Sequence, residues 1–584
     1  MTVVRRIAEG SAVPVPDADG IEPGRRLIRV GDEKGASLAE RVVARFNRLT
    51  WGTPLHSFRL RGRFPLKLLG VPRDPIPGDR EAGLDIMDGE ISLGRERAST
   101  ATLDFAEPGR PAGFADHIQS FGWLRDLAAA GTRLDVAPYA EPLMRRWLET
   151  HGRTADELAW RPDLWGRRIL NWTAHAPIIL SSSDLVYRSA VLNALARGAR
   201  HLDRTADKVP AGLPRVAAWA GTIAAGLLVP GGEPRLAHGE QGMTKALAQA
   251  VLPDGGIVSR SPVELLELVE ILSQLMAVYD ERRREPLAAI ASALARAVPA
   301  LLGVTMGDGA LSSWQGGGPL RADRVTRAVA ASGVRTRPLR QSREWGFQRL
   351  AGGSTIAVVD CAPPPASRLG RGGCASTLGF ELSDGAWRII VNCGGDKPWS
   401  ALPTAISEAL RTSAAHSTLV LADSNSTAIH ADGSLGRGVT MVDLDRQEQE
   451  SASRIEASHD GYVRRYGLTH QRKLALSADG REFGGEDVLL PAGSRKAGQE
   501  IGFAARFHLA PGVEATPTAD GLGALLRIEG GPLWQFRCRG GALGIEESIW
   551  IDSRGRPVST NQLVVTGETP AGGTSISWAF KRAG

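Results

Sequence analysis

Cysteine is scarce and scattered in this sequence: 584 residues contain four. Cys361, Cys374, Cys393 and Cys538 lie far apart, and no two form a CxxC pair. That spacing argues against a disulfide framework and against a zinc ribbon. Long apolar runs are missing too. The most apolar stretch, Val216 to Val229, is broken by glycine and threonine and falls short of the roughly 20 residues needed to span a bilayer. The opening MTVVRRIAEGSAVPVPDADG carries charge but lacks the apolar centre of a secretory signal. The expectation is a soluble, cytoplasmic chain without membrane insertion. There is no GxxxxGK[ST] phosphate loop, and the glycine-rich stretches do not follow the strand-then-helix order of a dinucleotide site. A GxSxG nucleophile elbow is likewise absent. Nothing in the sequence requires a cofactor.

The formal net charge is +6, with the basic residues mostly arginine and spread along the chain. No dense basic patch or recognised module points to nucleic acid. A planar guanidinium suits bidentate contact with carboxylate or sulfate, although a solvated surface explains the bias equally well. Hydrophobic content of 42% and charged content of 23% are those of a soluble globular protein. The length implies two or three domains.

The patterning changes along the chain. Residues 1–115 read as a Pro-, Gly- and Arg-rich arm followed by an irregular lead-in region. Residues 116–315 show helical periodicity, as in LVYRSAVLNALARGARHLDR and PVELLELVEILSQLMAVYDERRR, with Pro262 favourable in a first helical turn. Short connections between such helices imply antiparallel neighbours. After a linker over 316–344, residues 345–584 break into short β-branched or alternating runs separated by SDG and ADG turns. Many closely spaced strands predict an antiparallel β-sandwich. The fold class is α+β, with helices first and strands second.

Chemistry-bearing residues concentrate in RTSAAHSTLVLAD (411–423) and ASHDGYVRRYGLTHQRKL (457–474). With eleven histidines and five tyrosines in the chain, the grouping of His459, Tyr462, Tyr466 and His470 stands out. Ordinary packing at strand ends explains it as well. Asp423, His430 and His470 match no standard zinc spacing, and no metal site is assigned.

In order along the chain, FGWLRDLA, RRILNW, LPDGGIVSRSP, GDGALSSWQGG, GFQRLAGGSTIAVVD, CASTLGFELSDGAWRIIVNCG, RTSAAHSTL, HDGYVRRYGLTHQR and FHLAPGV resemble the heparinase II/III-type polysaccharide lyases, members from alphaproteobacteria in particular. The resemblance implies an incomplete (α/α) toroid before the sandwich and β-elimination on an acidic, uronic-acid polysaccharide as partner. It also implies work in the periplasm or cell envelope, against the leaderless start. Elimination needs a neutralised carboxylate, a base at C5 and an acid at the leaving oxygen. By resemblance, His416 is the β-domain histidine and Tyr462 the tyrosine, while Arg260 or Arg411 neutralises the carboxylate. Asn171, Trp172, Trp314 and His459 are candidates for substrate contact. In the segment matching SRSPVEL such lyases usually carry a tyrosine after the proline, often followed by histidine, where this chain has Glu264 and Leu265. They also carry an Asn-His pair one hairpin earlier, which has no clear counterpart in RTADKVPAGLPRVAAW. The alternative is therefore a non-catalytic glycan-binding or envelope-associated protein on a lyase scaffold.

Overall fold

The computed structural model describes residues 21–29, 53–62, 65, 67–153, 155–366, 372–397, 402–492 and 500–583. Helices dominate from Ala112 to Ser332. Their ends follow capping chemistry. Asp184 accepts from the amides of Val186 and Tyr187 to start Leu185–Thr205, and Thr132 with Asp135 forms a capping box on Arg133–His151. Pro262 opens Pro262–Glu281 in its first turn, where its missing N–H costs nothing. Leu213–Leu228 is buried along its length and packs against Pro162–Ala174, Glu233–Ala250 and Pro262–Glu281. That explains why its sequence is apolar all round rather than amphipathic. These antiparallel helical pairs form the incomplete toroid. Among the described residues no helix is long and apolar enough to cross a membrane.

The strands form two large antiparallel sheets packed as a sandwich. One runs, in spatial order, Gly24–Arg29, Met441–Glu448, Ala452–His459, Leu468–Ser477, Glu482–Pro491, Thr574–Arg582, Leu533–Arg539, Gly523–Ile528 and Val513–Pro517. The other runs Ala542–Ile551, Pro557–Thr569, Ile501–Leu509, Trp387–Val391, Phe380–Asp384, Thr355–Asp360 and Phe347–Gly352, with Leu419–Leu421 paired to Ile501–Leu509. The SDG and ADG turns are hairpins, with Gly385 and Gly480 at φ of +54° and +73°. Alternation in LTHQRKLALS maps directly onto alternating burial along that strand.

Two details depart from the sequence reading. Gly24–Arg29, within the expected arm, is an edge strand of the sandwich and inserts Ile28 into its core. The expected linker contains the helix Ala322–Ser332, so the switch from helix to strand falls between Ser332 and Phe347. The helical core continues through Trp345, Phe347 and Val358. The two halves therefore meet on an apolar seam, and the polar network described next crosses it.

Candidate functional site

Two helical-half motifs seat that half on the sandwich. In LPDGGIVSRSP, Asp254 accepts from the backbone N–H of Trp345 at 2.7 Å. Gly255, at φ +87°, lies where a Cβ would meet the Arg296 carbonyl at 2.0 Å. This tight turn aims Arg260 across the seam. Its guanidinium donates to Asp360 at 2.6 Å and to the carbonyls of Trp345 and Pro363, each at 2.9 Å, and lies over the Phe347 ring. In GDGALSSWQGG, Asp308 pairs with Arg388 at 2.8 Å, and the Ser313 N–H donates to Glu381 at 2.9 Å. Gln315 donates to Ser376 at 2.9 Å.

Asp360 is the hub, fully buried at the end of its strand. Besides Arg260 it accepts from Ser376 Oγ at 2.7 Å. His416 faces the same carboxylate closely enough to feel its charge, yet burial outweighs this and lowers the imidazole's pKa. His416 Nδ1 lies 2.7 Å from the Thr412 carbonyl. A carbonyl only accepts, so Nδ1 carries the proton and Nε2 the lone pair. Gly379 sits between His416 and Trp314, and a Cβ there would come 3.5 Å from each. The structure thus gathers Arg260, Trp314 and His416 around Asp360. His416 is only 1% exposed.

Tyr462 lies beyond the Ser413–Ala415 turn and is also 1% exposed. Its hydroxyl donates to the Leu419 carbonyl at 3.1 Å, and burial raises its pKa. Its ring packs 5.5 Å from that of His459. His459 Nδ1 accepts from the Gly461 N–H, leaving Nε2–H to donate to His470 Nδ1 at 3.2 Å; His470 Nε2–H then donates to Asp487 at 2.7 Å. Arg472 and Trp578 complete the shell of Asp487. The Arg472 guanidinium and the His470 hydrogen bond hold that carboxyl well below the usual range despite its burial. Burial and the neighbouring His470 and Arg472 push His459 well below the ordinary imidazole value.

The other sequence-selected residues lie apart. Arg411 donates to the carbonyls of Gly373 and Gly433, both at 2.8 Å. Asn171 donates to the Ser120 carbonyl at 2.9 Å. Trp172 is enclosed by Trp147 and Phe121, each with ring centroids at 5.3 Å. Among the described residues no three His, Cys, Asp or Glu side chains gather as a metal would require.

Two clusters were not legible beforehand. Glu381 is fully buried, and desolvation pushes its pKa up to about 7 although Arg388 opposes this. In the helical half, Arg125 pairs with Asp74 at 2.8 Å, and Gln274 joins Asp74 to Asn171. Arg324 forms a two-pronged pair with Glu270. Arg125 and Arg324 are answered by carboxylates of this chain 51 and 54 residues away, a spacing that leaves no local motif.

Residues 334–579 match the heparinase II/III-like C-terminal domain. The chain is also 30% identical over 567 residues to FtsZ-localized protein C of Caulobacter vibrioides, covering 91% of this chain and 93% of that protein. The chain belongs to the heparinase II/III-like family. A crystal structure of heparinase III superposes with a TM-score of 0.67 at 12% identity, over 95% of this chain and 93% of that one. Heparan sulfate lyase HepC from Pedobacter heparinus gives 0.57 at 13% identity, over 93% and 88%. At such identities the likeness is one of fold: toroid followed by sandwich. Within this heparinase-type architecture, LPDGGIVSRSP and GDGALSSWQGG of this chain form the seam between its two halves.

Proposed function

We propose that this chain is a non-catalytic protein on a polysaccharide-lyase scaffold, and that it assembles with FtsZ rather than degrading polysaccharide. One observation carries the first part: Tyr462 and Arg260, two of the groups needed around a single sugar ring, are already engaged inside the protein. Tyr462 donates to a backbone carbonyl, and its burial disfavours the phenolate needed as base. Arg260 is ion-paired to buried Asp360 and has no charge left over for a substrate carboxylate. The second part rests on the relative named for localisation with FtsZ, whose likeness extends over 93% of its length. On this reading the protein works in the cytoplasm. Co-sedimentation of the purified full chain with assembled FtsZ polymers tests it. Saturable pelleting with polymers, and none without them, is expected; no pelleting at any polymer concentration overturns it.

A second reading, a lyase acting on an acidic polysaccharide, is favoured by His416. Its Nε2 lone pair has no hydrogen-bond partner among the described residues, and Trp314 lies beside it. Turnover that disappears in His416→Ala while the thermal midpoint holds would select this reading.

A further inference from the structure

A cavity of about 610 Å³ opens on the sandwich between the 409–415 segment and the hairpin of Ala542–Ile551 with Pro557–Thr569. It shares with the Asp360 network only the turn that carries His416. At its floor, His508 Nε2 donates to the Ala414 carbonyl at 2.9 Å, which leaves Nδ1 to accept from Ser548 Oγ at 2.8 Å. Cys393 Sγ lies 3.5 Å from the same nitrogen. This resembles a nucleophile beside its base, but burial lowers His508 to about 3 and raises Cys393 to about 11. Near neutral pH both stay uncharged, so the trio offers fixed hydrogen-bonding groups and not an activated thiolate.

The rest of the lining defines the ligand. Ser559 and Asn561 contribute a hydroxyl and an amide not used elsewhere among the described residues. The hydroxyls of Thr412, Ser548 and Thr560 and the Gln562 amide keep only their remaining lone pairs and N–H beside internal bonds, and Leu410, Ala415 and Ile549 contribute apolar surface. Glu547 is the one formally charged residue of the lining; among the described residues no lysine, arginine, phenylalanine, tyrosine or tryptophan joins it, and the one ring of the lining is the His508 imidazole. The cation behind the lining, Arg506, bonds Gln562 and is already paired with Glu546, so a uronate, sulfate or phosphate would find no uncommitted positive charge there to offset its desolvation. The His508 imidazole is only 2% exposed, so a planar base finds little ring face to stack on. A sugar hydroxyl both donates and accepts, which suits a mixed lining of this kind, and the C–H face of a pyranose suits the aliphatic patch. The volume falls within the roughly 300–1,000 Å³ of ordinary small-ligand sites.

We propose that this cavity binds a short neutral saccharide, at a site separate from the toroid–sandwich seam. The assignment stands whether or not the protein is a lyase and whether or not it meets FtsZ.

Ligand-observed saturation-transfer NMR on the full chain tests it, using neutral trisaccharides (cellotriose, maltotriose and the N-acetylglucosamine trimer) against a uronate trimer. Ala409→Trp, at an exposed rim position, should narrow the mouth and weaken binding by about tenfold or more, equivalent to about 1.4 kcal/mol. In the wild-type protein the rate of Cys393 alkylation gives a readout independent of any variant's folding, with Cys393→Ser identifying the labelled thiol. Saturation transfer from at least one neutral trimer, together with its slowing of Cys393 alkylation, is expected. Absence of transfer from every neutral trimer overturns the proposal, as does unchanged Cys393 alkylation or equal protection by the uronate trimer.

Discussion

Arg260→Met isolates the contact that ties the helical half to the sandwich. Methionine retains the aliphatic stem over Phe347 and deletes the guanidinium. Asp360 then loses its 2.6 Å partner and keeps Ser376 Oγ, while the carbonyls of Trp345 and Pro363 lose their donor. Breaking a buried pair by removing one partner costs roughly 3–5 kcal/mol, since the remaining charge stays desolvated. Urea unfolding followed by tryptophan fluorescence is the assay, because Trp314 and Trp345 lie against the same seam. The midpoint should fall with little change in slope. Asp360→Asn in the Arg260→Met background should recover part of the loss, giving a coupling of about 0.5–3 kcal/mol in a double-mutant cycle. A loss under about 1 kcal/mol, with additive effects of the two changes, would refute the reasoning that Arg260 is committed to the fold.

Other expectations follow from the same geometry. Tyr462→Phe leaves the Leu419 carbonyl without its side-chain donor and should cost about 0.5–1.5 kcal/mol in stability; an unchanged midpoint would argue that the hydroxyl serves something else. Trp172→Ala should cost about 3–5 kcal/mol and leave saccharide binding unaltered, because the ring is enclosed by Trp147 and Phe121. Burial lowers the pKa of His56, His117, His175, His201, His416, His459, His470 and His508 in the fold. The unfolded chain, with imidazoles near about 6.5, binds more protons below that pH, so stability should fall as pH drops through about 6.5. Thermal melts between neutral pH and about pH 5 check this, and a flat profile contradicts it.

Much of the architecture was legible because its causes are local. The 3.6-residue period and Pro262 announce helices, while the SDG and ADG turns announce hairpins. Gly24–Arg29 was not legible, because GRRLIR is an edge strand that buries only Ile28 and exposes its arginines. The site was legible as a set of positions, not as an environment. RTSAAHST and LPDGGIVSRSP could be picked out, but the burial of His416 and the capture of Arg260 by Asp360 depend on partners distant in sequence. The same holds for Glu381, whose environment combines Arg388 from a neighbouring strand with Ser313 from the helical half.

The most direct measurement is continuous absorbance of the unsaturated uronate product, with purified protein and a panel of heparan sulfate, chondroitin sulfate, hyaluronan and alginate, and heparinase III as positive control. With Tyr462 and Arg260 held inside the fold, no product should form above the blank on any of the four polymers. Steady product formation that His416→Ala or Tyr462→Phe abolishes would contradict the non-catalytic assignment.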